Sequence, residues 1–224
     1  MAVFADRVEA GRRLAVRLEH LRGQDVVILG LPRGGVPVAF EVAEALDAPL
    51  DVIVVRKLGV PSQPELAMGA IGEGGVRVLD AGVLAHAQVA EDELRTIERR
   101  EGSMLAARVA RLRRGRGRID LNDRIAVIVD DGIATGSTAR VACEVARLLG
   151  AAHVVLGVPV APAEAVHDLV GADEVVSVSA PRHFRAVGNH YRDFSPTSDE
   201  EVIVLIDAAA RRMRRDRALS DGPD

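Results

Sequence analysis

The sequence predicts an α/β fold built on a mostly parallel central sheet flanked by helices. Short runs of Val and Ile alternate along its 224 residues with Ala/Leu/Arg segments of helical period. The Val/Ile runs are also apolar almost without a break, as strands covered on both faces must be.

Taken in order, residues 1–21 read as an amphipathic helix, because they lack the basic start and unbroken apolar core of a secretory leader. Strands follow at 25–31 and 50–57, separated by "PRGG" (32–35) and a helix over 36–47. Residues 58–79 contain Pro61, Pro64 and glycines 59, 69, 72, 74 and 75, a composition that predicts a mobile loop running into a small hairpin. A charged helical stretch over 86–118 ends in "RVARLRRGRGR". Its arginines, like those of "RRMRRDR" near the C-terminus, suit a helix C-terminal dipole and a solvated face.

The second half continues the alternation. Strands are expected at 124–131, 152–160 and 174–180, with helices at 137–150, stopped by Gly150, and at 163–170. Ser198 followed by Glu201 is a capping-box signature for a C-terminal helix, and residues 216–224 are expected to be disordered. With no repeat or linker, residues 1–224 form one domain, with a core at about 25–180.

Net charge of −4 and 2 % aromatics disfavour nucleic acid as a partner. No apolar run approaches the roughly 18 to 20 residues of a membrane span. A single cysteine, Cys143, excludes an internal disulfide framework and fits a reducing cytoplasm.

The most informative stretch is "VIVDDGIATGSTA", residues 127–139. Asp130 and Asp131 fall at the carboxyl end of a strand, where open α/β sheets bind ligands. The loop after them enters a helix whose first N–H groups favour an anion. Gly132 and Gly136 permit close backbone approach, and Thr135, Ser137 and Thr138 offer hydroxyls. Carboxylates and an anion site coexist if the ligand has two different ends, and a ribose 5-phosphate has both. The stretch is neither a GxxxxGK[ST] loop nor a GxGxxG fingerprint.

This stretch resembles the 5-phosphoribosyl-1-pyrophosphate (PRPP) motif of type I phosphoribosyltransferases, and from 25 to about 205 the chain resembles bacterial proteins of that kind. The resemblance implies the type I fold with a flexible lid at about 58–79 and a small hood at about 181–205. It implies that Asp130 and Asp131 hold the ribose hydroxyls, with Gly132, Ile133, Ala134, Thr135, Gly136, Ser137 and Thr138 around the 5′-phosphate. Arg33, Gly34 and Gly35 would form the pyrophosphate loop, where family members often carry a cis peptide. Arg56 and Lys57 would be a basic pair at the base of the lid. Arg33 and Lys57 would stabilise the departing pyrophosphate, and Glu65 is the candidate proton-handling group, although it also reads as a surface residue beside Pro64.

Magnesium is the implied cofactor, bound mainly through PRPP and water with Asp130 and Asp131 behind it, and a homodimer is the implied assembly. The expected reaction is transfer of the phosphoribosyl group to a nitrogenous acceptor such as a nucleobase, with release of pyrophosphate. A PRPP-binding sensor without turnover is the alternative. Members acting on 6-oxopurines carry an acidic residue where this chain has Ala134, which disfavours hypoxanthine and guanine. Phe184, Tyr191 and Phe194 either form a stacking surface for the acceptor or pack against the C-terminal helix.

Overall fold

The computed structural model describes residues 3–168 and 171–220. The chain runs α1 (Arg7–Arg17), β1 (Val26–Gly30), α2 (Gly35–Leu46), β2 (Leu50–Val52), β3 (Val55–Val60), β4 (Gln63–Gly72), β5 (Arg77–Leu79), α3 (Ala81–His86) and α4 (Glu91–Arg113). It continues through β6 (Ile125–Val129), α5 (Ser137–Leu148), β7 (His153–Val160), α6 (Ala163–Asp168), β8 (Glu174–Ser179) and α7 (Asp199–Ser220).

Five parallel strands form the central sheet in the order β2-β1-β6-β7-β8. Every residue of β1 is buried, because alternate side chains enter different cores. Val27 and Leu29 meet Ala142, Cys143 and Val145 of α5 on one face. Val26 and Ile28 meet Leu14 of α1 and Val42 of α2 on the other. Hydrophobic burial on both faces is what makes the unbroken Val/Ile runs stable as strands. Cys143 is sealed inside, and burial pushes its thiol up to about 12.

The sequence misleads between residues 50 and 79. The expected strand 50–57 is two strands: β2 ends at Val52, and β3 opens a separate antiparallel sheet of order β3-β4-β5. The segment read as a mobile loop running into a small hairpin is therefore mostly sheet, with β3 and β4 as the hairpin. Its glycines serve close backbone contact: a Cβ on Gly59 would lie 2.5 Å from the Pro64 carbonyl oxygen, at the point where the β3/β4 register shifts. Leu58, Val60 and Met68 pack from this sheet onto Leu94, Leu105 and Leu112 of α4 and onto Val202, Ile203 and Ile206 of α7. Residues 55–113 thus build a roof of one sheet and two helices.

The arginines expected on a solvated helix face have specific partners. Arg113 is 5 % exposed and joins Asp51 (2.9 Å), both oxygens of Glu73, and the Val52 carbonyl (3.0 Å). Asp51 also accepts from the Ile119 amide, and Glu73 from the Val54 amide. Burial raises the Glu73 carboxyl above its ordinary value despite the Arg113 charge beside it. Arg116 pairs with Asp207, and Arg111 with Glu200. Arg212 caps the end of α2 by donating to the Ala43 and Ala48 carbonyls at 2.9 and 2.7 Å.

At the C-terminal helix the capping box is formed, with Ser198 N donating to Glu201 and Glu201 N to Ser198 Oγ. Helix α7 continues to Ser220, into the stretch expected to be disordered. Residues 221–224 and the last two of the expected helix 163–170 lie outside the described residues. Residues 3–5 run beside 190–193, with Phe4 N donating to His190 O and Arg192 N to Phe4 O, both at 2.9 Å. Among the described residues, no helix is long and apolar enough to cross a membrane.

Candidate active site

Strand order positions the site. β1 and β6 are neighbours, with Gly30 opposite Val129, but β1 leads through α2 to β2 on one side and β6 leads through α5 to β7 on the other. The chain reverses its winding between them, so a crevice opens beyond their carboxyl ends. Leu31 N donates to Val129 O across it at 2.8 Å. The "PRGG" turn and the Asp130-Asp131 pair meet there, and a Cβ on Gly34 would overlap Asp131 Oδ2. The Pro32–Arg33 peptide is cis.

A cleft of about 590 Å³ occupies this crevice. Arg7, Arg33, Arg56, Arg108, Asp130 and Asp131 supply its charged side chains, and Phe194, Pro196 and Thr197 close one end. Arg7 was not foreseen. It is the first residue of α1, whose cap is Asp6; its Nε donates to Asp131 Oδ2 at 2.9 Å, and its Nη2 lies 2.8 Å from the same oxygen. Its Nη1 donates to Ser195 O at 2.8 Å, and its guanidinium lies 4.1 Å from the Phe194 ring centroid. The Tyr191 hydroxyl donates to the Asp131 carbonyl at 2.6 Å, so both ends of Asp131 are held.

The aspartates differ electrostatically. Burial, and then the neighbouring Asp131 charge, hold the Asp130 carboxyl well above its ordinary value. Asp131 is raised by burial too, but Arg7 opposes the shift through charge and hydrogen bonding. Asp131 is therefore the carboxylate better able to stay ionised. A buried carboxylate pair at a cleft fits a magnesium ion that would be held mainly by substrate oxygens and water, with the aspartates behind it.

The loop after the pair lines a second cavity of about 210 Å³, contributed by Asp130 and residues 132–139 with Val187. Gly136, in the left-handed region at φ 71°, is the cap of α5 and no side chain bonds to that helix start. The first amides of α5 are thus open to an anion, beside the exposed Ser137 and Thr138 hydroxyls. Thr135 Oγ1 and Ser137 Oγ are 3.3 Å apart. Ile133 is buried and its amide bonds Val160 O at 2.9 Å, while Ala134 is exposed. A Cβ on Gly132 would strike Val187 and Val160, so packing demands that glycine.

Not every expected site residue lies in the main cleft. Gly35 sits against Val129 and Asp130 below it. Arg56 lines the cleft but donates to Glu101 at 2.5 Å. Lys57 and Glu65 face an adjoining cavity of about 770 Å³ under the β3/β4 hairpin, which shares Arg56 and Thr138 with the cleft. Of the three aromatics only Phe194 lines the cleft. Tyr191 is buried, with its ring 5.3 Å from Phe4 and 5.0 Å from Phe194, and Phe184 stacks on His190. Arg108, in the second half of α4, is a further cleft residue that the sequence placed on a solvated face.

The crevice, the two carboxylates and the loop at the start of α5 define a ligand cleft at the switch point of the sheet. Residues 5–179 match the phosphoribosyl transferase domain, and the chain belongs to that family. Two curated Mycobacterium tuberculosis proteins, named as candidate phosphoribosyl transferases, are 56 % identical over 225 aligned residues, covering 100 % of this chain and 51 % of theirs. The chain thus spans about half the length of these relatives. A Thermus thermophilus protein of known crystal structure is 44 % identical with a TM-score of 0.82, over 92 % of this chain and 98 % of that one.

Proposed function

We propose that the protein transfers the 5-phosphoribosyl group of PRPP to a nitrogenous heterocycle, with magnesium, and releases pyrophosphate. The single observation that carries this reading is the convergence of Asp130, Asp131 and the uncapped start of α5 on one crevice. Carboxylates at one end accept from ribose hydroxyls, and amides and hydroxyls at the other take the 5′-phosphate.

Residue roles follow from charge. Bond breaking at ribosyl C1 leaves positive charge on the sugar and negative charge on the pyrophosphate, so the protein acts chiefly by positioning and electrostatic stabilisation. Arg33, exposed beside Gly34, presents a guanidinium fork to the leaving group. Lys57 and Glu65, under the hairpin, would reach it on closure of the roof, which also excludes water from the activated sugar. Bound magnesium would neutralise pyrophosphate charge. A homodimer in a reducing cytoplasm, without nucleic acid or membrane partners, is the setting this reading favours.

The test is a pyrophosphate-release assay with PRPP, magnesium and a panel of heterocycles. Release with at least one acceptor supports transfer. Tight PRPP binding with no release from any acceptor would favour a sensor instead.

A further inference from the structure

We propose that the end of the cleft bounded by Arg7, Arg108 and residues 194–197 binds the acceptor through an anionic substituent, a ring carboxylate, recognised by the Arg108 guanidinium. The proposal deepens the transferase reading and rests on it for the identity of the acceptor end.

Its first support is the hydrogen-bonding character of the wall. Arg7 and Arg108 are donors only, and the remaining side chains at that end are Phe194, Pro196 and the hydroxyl of Thr197. The carboxylates lining the cleft are Asp130 and Asp131 on its floor, and Asp131 is already engaged by Arg7. A neutral nucleobase presents N–H donors as well as acceptors, and guanidinium groups would leave those donors unpaired at a cost. A carboxylate accepts only, and matches the fork in two parallel bonds.

The second support is that Arg108 keeps unused donors: its one charge contact is a long ion pair with Asp199. Arg7 spends its nitrogens on Asp131 and Ser195, and Arg56 donates to Glu101. Among the described residues Arg108 makes no hydrogen bond, and its nearest carboxylate, Asp199, stands 3.5 Å away. That carboxylate is shared with Arg111 at 3.3 Å, and its Oδ1 is buried without a hydrogen-bond partner. Arg108 lines the cleft and its side chain is 32 % exposed.

The third support is placement. Glu101, Leu105 and Arg108 follow one another along a single face of α4. Glu101 holds Arg56 at the roof, whereas Arg108 lies further on, beside Asp199 at the start of α7. Arg108 is thus on the side of residues 194–197, away from the β3 end of the cleft.

Isothermal titration tests the proposal with pyridine and pyrimidine carboxylates, each paired with its own carboxamide. The full chain is used with and without saturating magnesium and PRPP, as wild type and as Arg108→Gln. A charge-assisted pair predicts that at least one carboxylate binds about tenfold or more tightly than its carboxamide, that Arg108→Gln abolishes the preference, and that PRPP affinity changes by less than about threefold. Equal binding of every pair overturns the proposal, as does a preference that survives Arg108→Gln. A loss in PRPP affinity of about tenfold or more in the variant overturns it too, because it would put Arg108 on the pyrophosphate. If PRPP does not bind while an Arg108-dependent carboxylate preference persists without it, the transferase reading fails and the anion subsite stands.

Discussion

Arg7 grips Asp131 Oδ2 with two nitrogens from 124 residues away in the chain. The side chains are only 12 % and 14 % exposed, so the pair is weakly screened. It sets both the charge and the direction of the carboxylate.

Replacing Arg7 by Ala should therefore weaken PRPP binding by about tenfold near neutral pH. Removing the cation lets burial raise the Asp131 carboxyl further, so the ionised form needed to accept from a hydroxyl appears only at higher pH. The binding curve should shift to alkaline pH in Arg7→Ala and return part of the way in Arg7→Lys. Calorimetric titration at several pH values measures it, and an unshifted curve would remove Arg7 from this role.

Asp130 offers a stability test of opposite sense. Its folded-state carboxyl is raised, chiefly by burial, so the stability it confers is fully present below the unfolded value and is lost as pH rises through the folded value. Asp130→Asn keeps the shape without the charge. Its melting temperature, measured without ligand, should fall less than that of wild type as pH is raised to about 9, while PRPP binding is lost.

Lys57 lies outside the main cleft, beneath the β3/β4 hairpin. If it meets pyrophosphate only on closure, Lys57→Ala should lower turnover by about 10- to 100-fold, as loss of a transition-state contact does, and leave PRPP affinity nearly unchanged. Rapid-quench turnover and equilibrium binding separate the two quantities. The reverse pattern would put Lys57 on the ground-state ligand.

The Arg113 network ties the roof to β2. Arg113→Met leaves Asp51 and Glu73 buried without their cation and should cost about 3–5 kcal/mol. The Glu73 carboxyl, already raised by burial, would then lose the charge that opposes the shift, so the deficit should shrink as pH falls through its folded value. Urea denaturation at about pH 5 and about pH 8 should show the larger deficit at the higher pH.

What could be read from the sequence was local. The Asp130-Asp131 pair, the small-residue loop and the "PRGG" turn announce themselves because strand, turn and helix start are contiguous. Arg7, Arg108 and Arg113 could not be singled out among 29 basic residues, since helical period reveals a face but not what the fold lays against it. The 50–79 segment failed differently. Glycine there signals contact between backbones, as at Gly59, and composition alone cannot distinguish that from looseness. Of the aromatics at 184–194, Tyr191 has a partner outside both expected alternatives, the Phe4 ring.

The clasp from Arg7 to Ser195 spans 188 residues, and residues 3–5 and 190–193 lie side by side. Contacts so distant in sequence close slowly relative to helices and adjacent hairpins. A refolding chain can thus form its helices and the β3/β4 hairpin while the aspartates still lack their guanidinium. Competence for PRPP should trail the recovery of the far-ultraviolet dichroism signal, so the timing of the last clasp, more than assembly of the scaffold, decides when a new molecule becomes useful.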